Sequence, residues 1–123
     1  MSGESPNAGK SNEDLAPALT DYTQRILFGD VWERPGLSKR DRSLITVATL
    51  VALYRTNELS FHLKRALENG VMQDELIELI THLAFYSGWP TAYTALGIAR
   101  RVFADHRANR RDHQAGGDLR VRV

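Results

Sequence analysis

Apolar residues in this chain recur at helical spacing, and a glycine closes three of the runs. Leu15, Leu19, Tyr22, Ile26 and Leu27 precede Gly29; Leu59, Leu63, Ala66 and Leu67 precede Gly70; the segment 73–87 precedes Gly88. Steps of three and four put such side chains on one helix face, and glycine tolerates the backbone on which helices commonly end. No window alternates with the period of two that a half-buried strand requires. The β-branched run ITVATLV invites a strand reading, but its length, its continuation into ALYR and its start favour helix. That start places Ser38 as N-cap, with Asp41 in the capping-box position. The expectation is an all-α, single-domain bundle of about five helices. They run from Asn12 to Gly29, Ser38 to about Tyr54, Asn57 to Asn69, Gln73 to Ser87 and Pro90 to about Ala104. Helices two to five supply the core.

At 123 residues the chain has room for one core. Residues 1–11 are polar and rich in Gly, Ser, Pro and Asn, so they are expected to lack order; 12–105 form the domain; 106–123 are an arginine-rich tail, solvated or wrapping a neighbouring subunit. The connector Asp30–Leu37 carries a Pro35–Gly36 turn, with Val31, Trp32 and Leu37 as anchors to the core. In the second helix Leu44, Ile45, Val47, Ala48, Val51 and Ala52 are apolar around most of the circumference. Such a helix is expected to be central, and too apolar for a small bundle to cover alone, so a homo-oligomer is expected.

Several chemistries are excluded. With no cysteine, the chain has no disulfide, thiolate metal site or cysteine nucleophile. A net charge of +1 gives no general case for nucleic acid. The longest strongly apolar run, Leu44–Leu53, is too short for a bilayer, and the N-terminus lacks the pattern of a secretory signal. A cytoplasmic protein without membrane contact is expected. No glycine-rich phosphate loop occurs.

The polar residues that remain are few. Glu58 and His62 are four apart, on one face of the third helix beside its apolar stripe. A carboxylate next to an imidazole is a minimal acid–base pair, although from the spacing alone an ordinary surface ion pair is the favoured reading. His82, mid-helix between Glu78 and Tyr86, is either a second functional imidazole or a hydrogen-bonded boundary residue. Glu58, His62 and His82 together would make a conceivable zinc or iron ligand set, but nothing resembling the HExxH pattern is present. Arg40 and Arg42 stand in the first turn of the second helix, where the dipole disfavours cations. An internal salt bridge or a bound carboxylate would offset that penalty. Trp89, beside Pro90 at the corner after Gly88, and Tyr86 can wall a substrate pocket or simply pack.

Three segments together carry a resemblance. DVWERPGLSKRDRSLITVATLVAL, NELSFHLKRALENG and DELIELITHLAFYSGWPTAYTAL, within residues 21–104, resemble the carboxymuconolactone decarboxylase family. The resemblance implies an alkylhydroperoxidase D-like all-α fold whose copies assemble by helix packing, often as trimers or hexamers. In the peroxidase branch a CxxCxxxH motif reduces peroxides. If His62 matches its histidine, Arg55 and Glu58 stand where the cysteines would be, and without thiolates that chemistry is lost. The pattern of Glu58, His62 and His82 resembles instead the branch that decarboxylates 4-carboxymuconolactone without a cofactor in aromatic-acid catabolism. By that resemblance the ligand is a small carboxylated lactone or related acid. His62 would act as general acid or electrostatic stabiliser, Glu58 as the partner that orients it and raises its pKa, and His82 as a second donor. Arg42, with Arg40, would anchor a substrate carboxylate, and Trp89 and Tyr86 would line the pocket. A non-catalytic helical module binding a small anion or a partner, and a metal-dependent enzyme, are the competing readings.

Overall fold

The computed structural model describes residues 15–122, with side chains described as far as Arg111. The polar leader over residues 1–11, the helix start expected at Asn12, and the side chains at the end of the arginine-rich tail lie outside the described residues. The described residues contain helix and turn and no strand, so the fold is all-α, as the periodicity predicts. No helix among them is long and apolar enough to cross a membrane. The chain divides into two units, at Lys39.

In the first unit, α1 (Pro17–Tyr22) opens with proline in its first turn and runs into a π-helical turn, Thr23–Phe28. An Arg25–Asp21 ion pair at 3.0 Å braces it. A short 3₁₀ turn, Val31–Glu33, follows, with the Phe28 and Trp32 rings 6.2 Å apart. Of the three expected anchors only Trp32 is buried; Val31 and Leu37 are exposed. Gly29 does close its helix, but at φ −86°, an ordinary value. What demands glycine there is space, because a Cβ would stand 2.7 Å from the Arg25 carbonyl oxygen.

The second unit holds α2 (Lys39–Ala52), α3 (Thr56–Glu68), α4 (Gln73–Ser87) and α5 (Trp89–Arg122). Each contributes one stripe to a single core. Val47 and Val51 come from α2, Leu59, Leu63 and Ala66 from α3, and Leu76, Ile80 and Ala84 from α4. From α5 come Ala92, Ala95, Ile98, Ala99 and Phe103. The steps of three and four keep each stripe narrow. α3 and α4 both pack on α5, whose alanines let the backbones approach closely.

Two expectations change here. The helix predicted to be buried on several sides, α2, is not: Ser43, Val47 and Val51 are its buried residues, and Ile45 is 53% exposed. The central element is α5. That helix was also expected to end near Ala104, yet it continues to Arg122 as one 34-residue element. Its last core residue is Phe103, and beyond it no apolar stripe marks the continuation in the sequence.

The turns are built from specific hydrogen bonds. After α3, Gly70 takes φ +99°, its N–H bonds to the Leu67 carbonyl, and the Val71 N–H reaches back to Ala66 at 2.9 Å. This paired return is the Schellman ending of a helix. α2 ends the same way without glycine. Tyr54 takes φ +60°, its N–H bonds to Val51, and the Arg55 N–H bonds to Leu50 at 2.8 Å. The Tyr54 hydroxyl lies 3.4 Å from Thr94 Oγ1 on α5. Ser43, the buried polar residue of α2, accepts a hydrogen bond from Asn69 Nδ2 at 3.0 Å, so its hydroxyl is satisfied.

Glu75 joins two helices. One oxygen accepts the Met72 N–H at 2.9 Å, closing the first turn of α4; the other accepts Arg40 at the start of α2. Substituting Gly70→Ala should cost about 1–2 kcal/mol from backbone conformation alone, since an added Cβ meets nothing within 4 Å. Leu63→Ala, at a fully buried position, should cost more, about 2–5 kcal/mol. Urea unfolding followed by circular dichroism measures both, and the reverse order would contradict this packing.

Candidate active site

The polar groups singled out in the sequence fall into two clusters. On α3, Glu58 is exposed and His62 half-buried, one turn apart on the flank beside the stripe of Leu59, Leu63 and Ala66. The Phe61 ring meets the imidazole edge-on, with centroids 5.0 Å apart. Arg65, one turn further along, acts on the same imidazole through its charge.

These neighbours set the imidazole's charge. Burial pushes the His62 pKa below its ordinary value of 6.5; the Arg65 guanidinium pushes the same way, and Glu58 opposes them without prevailing. The expectation that the carboxylate raises the His62 pKa is therefore corrected: Glu58 does pull upward, but the net shift is downward. At neutral pH His62 is a neutral imidazole beside a guanidinium. It can accept a proton or donate one N–H, and the arginine supplies the positive charge.

The second cluster lies between α2 and α4. His82 is exposed and lines a groove with Leu44, Ala48, Leu79, Leu83, Glu75 and Glu78, enclosing about 360 Å³. Its ring is 4.9 Å from that of Tyr86. Apolar walls with an imidazole and carboxylates at the rim suit a small organic molecule. His62 is not among the residues lining this groove.

Arg40 pairs with Glu75 and approaches Asp41 at 3.4 Å, so for Arg40 the internal salt bridge is what offsets the unfavourable dipole. Arg42, on the next turn face, is half-buried. Trp89 packs its ring against Phe85 with centroids 5.0 Å apart and is itself half exposed. Among the described residues, no three His, Asp or Glu side chains gather closely enough to hold a metal ion.

Sequence reasoning passed over Arg65 and Glu75, and used Glu78 only to place His82. Arg65 and Glu78 sit one turn from His62 and His82, a spacing that signals a neighbour. Glu75 meets Arg40 across 35 positions, and no local pattern announces that pair.

The pH behaviour follows from the direction of the His62 shift. Because the folded chain binds that proton less readily than the unfolded one, His62 contributes a loss of stability as pH falls below 6.5. An NMR titration should place its pKa under that value; Glu58→Gln should lower it further and Arg65→Gln should raise it. A His62 that titrates above 6.5 would contradict the assignment.

Comparison with known proteins agrees with this architecture. The sequence profile of the carboxymuconolactone decarboxylase family matches residues 17–101. A protein of Acinetobacter baylyi named 4-carboxymuconolactone decarboxylase is 46% identical over 92 residues, which span 75% of this chain and 69% of that one. A nitrosuccinic acid decarboxylase of Metarhizium robertsii is 35% identical over 78 residues, covering 63% and 54% of the two chains. An uncharacterised 15.0 kDa protein of Paracoccus denitrificans is 28% identical over 98 residues, covering 78% and 73%. The match spans α2, α3, α4 and the first part of α5, and the chain belongs to the carboxymuconolactone decarboxylase family.

Proposed function

We propose that this protein is a cofactor-independent carboxy-lyase acting in the cytoplasm on a small carboxylated lactone of the 4-carboxymuconolactone type. The observation that carries this reading is the neutral His62 beside Arg65, in a chain similar to two proteins named as decarboxylases. The substrates in those two names share a feature: a carboxylate next to a group that can take up an electron pair, an unsaturated lactone in one and a nitro group in the other.

In such a reaction the bond to the departing carboxylate breaks heterolytically. Carbon dioxide leaves, the electron pair spreads into a dienolate, and a proton later adds at carbon. The barrier falls where donors meet the developing charge. In this reading the neutral His62 donates an N–H to the dienolate oxygen, while Arg65 supplies fixed positive charge without needing a proton. Glu58 orients the ring. His82, which lines the separate α2–α4 groove, returns the proton from a neighbouring copy in the proposed oligomer, and Arg42 holds a carboxylate of the substrate that is not lost. Tyr86 and Trp89 form the apolar wall.

Copies of the chain associate in the same reading. Phe85 is 73% exposed and Tyr86 76%, and Ile45, Leu53, Tyr54, Trp89 and Tyr93 are also exposed. Apolar surface on this scale marks an interface, and the assembly proposed is a homo-oligomer, a trimer or hexamer. Sedimentation at micromolar concentration should give a multiple of 13.8 kDa; a stable monomer would contradict it.

Decarboxylation of 4-carboxymuconolactone, followed by carbon dioxide release, tests the reaction. His62→Ala and His82→Ala should each lower kcat by about 10²–10⁴, with the fold retained by circular dichroism. Wild-type rates in both variants would remove the assignment. Failure of the wild-type protein to turn over this lactone or a related acid would favour the binding-module reading.

A further inference from the structure

A second cleft lies on the far side of α3 from Glu58 and His62. Successive helical residues turn by about 100°, so Ser60 and Lys64 point well away from the Glu58–His62 flank. There α3 and the continuation of α5 enclose about 500 Å³, lined by Ser60, Phe61, Lys64, Val102, Asp105, His106 and Asn109. Besides Phe61, whose ring meets His62, none of these residues has a part in the reaction proposed above.

The charges in this cleft are unusual in their pairing. Lys64 and Asp105 line the same space from opposite helices, yet they form no ion pair with each other or with another described residue. Arg101, one turn before Asp105 on α5, does not pair with it either. An ammonium and a carboxylate thus line one cavity without an ion pair between them. Between them Phe61 and Val102 give an apolar surface, and Ser60 and Asn109 give hydroxyl and amide groups. The polar wall exists because α5 does not stop at its last core residue, Phe103.

A simple organic anion would meet Lys64 but be repelled by Asp105, and a simple cation would meet the reverse. A ligand carrying both charges satisfies both walls, because its carboxylate faces Lys64 and its ammonium faces Asp105. We propose that the α3–α5 cleft is a binding site for a small dipolar molecule with an apolar body, of the class of an α-amino acid with an aliphatic or aromatic side chain. The ammonium and carboxylate of such a molecule reach Asp105 and Lys64 together, and its side chain lies on Phe61 and Val102. The volume accommodates a molecule of that size.

Isothermal titration of the intact protein with three probes of matched shape tests this. L-leucine carries both charges, 4-methylpentanoate lacks the ammonium and 3-methylbutylamine lacks the carboxylate. L-leucine should bind in the millimolar range or tighter, with both analogues weaker by about tenfold or more. Lys64→Met should remove the advantage of L-leucine over the amine, and Asp105→Asn its advantage over the acid. Both positions are exposed, and circular dichroism verifies that the variants remain folded. No heat with L-leucine at millimolar concentration overturns the proposal. So does equal binding of 4-methylpentanoate, which would leave Asp105 without a part, or L-leucine binding that survives both substitutions unchanged.

Discussion

The close approach of α5 to its neighbours is the constraint on which the rest of this structure depends. Ala92, Ala95 and Ala99 present almost no side chain to the core, so the larger residues of α3 and α4 can fill the space against the α5 backbone. Leu59, Leu63, Leu76 and Ile80 are fully buried as a result. A bulkier residue in that alanine stripe would separate the helices and open voids along several of these side chains at once. The two functional flanks inherit their positions from this arrangement. Glu58 and His62 edge the α3 stripe, and His82 edges the α4 stripe.

Glu75 plays the corresponding polar part. It satisfies a backbone N–H at the start of α4 and a guanidinium at the start of α2, and it also forms part of the groove that holds His82. A single carboxylate thereby relates a helix terminus, an interhelical ion pair and a pocket wall. Its partner Arg40 is committed to that ion pair, whereas Arg65 acts on the His62 imidazole through its charge.

Much of the fold was legible because its signals are local. The bounds of α4 follow from Gly88 and from the acidic first turn, and the stripe of α3 from its steps of three and four. What remained hidden depends on partners remote in sequence. Apolar residues around α2 read as deep burial, whereas three of its residues are buried and others face outward; periodicity records what a helix can bury and not what surrounds it. The length of α5 beyond Phe103 carries no apolar pattern to reveal it. Spacing identified the Glu58–His62 pair, but the direction of its electrostatics came from burial and Arg65, which act against the carboxylate. The Arg40–Glu75 pair joins residues no local motif connects.

The ending of α2 has a consequence for the geometry of the chemistry. A tyrosine at φ +60° occupies a conformation that glycine would adopt more cheaply, so the backbone alone does not account for its presence. What tyrosine adds is a hydroxyl near Thr94 on α5, and the α3 helix begins two residues after Tyr54, at Thr56. The Tyr54 side chain thus spans from the end of α2 to the central helix, immediately ahead of the first turn of α3, which carries Glu58.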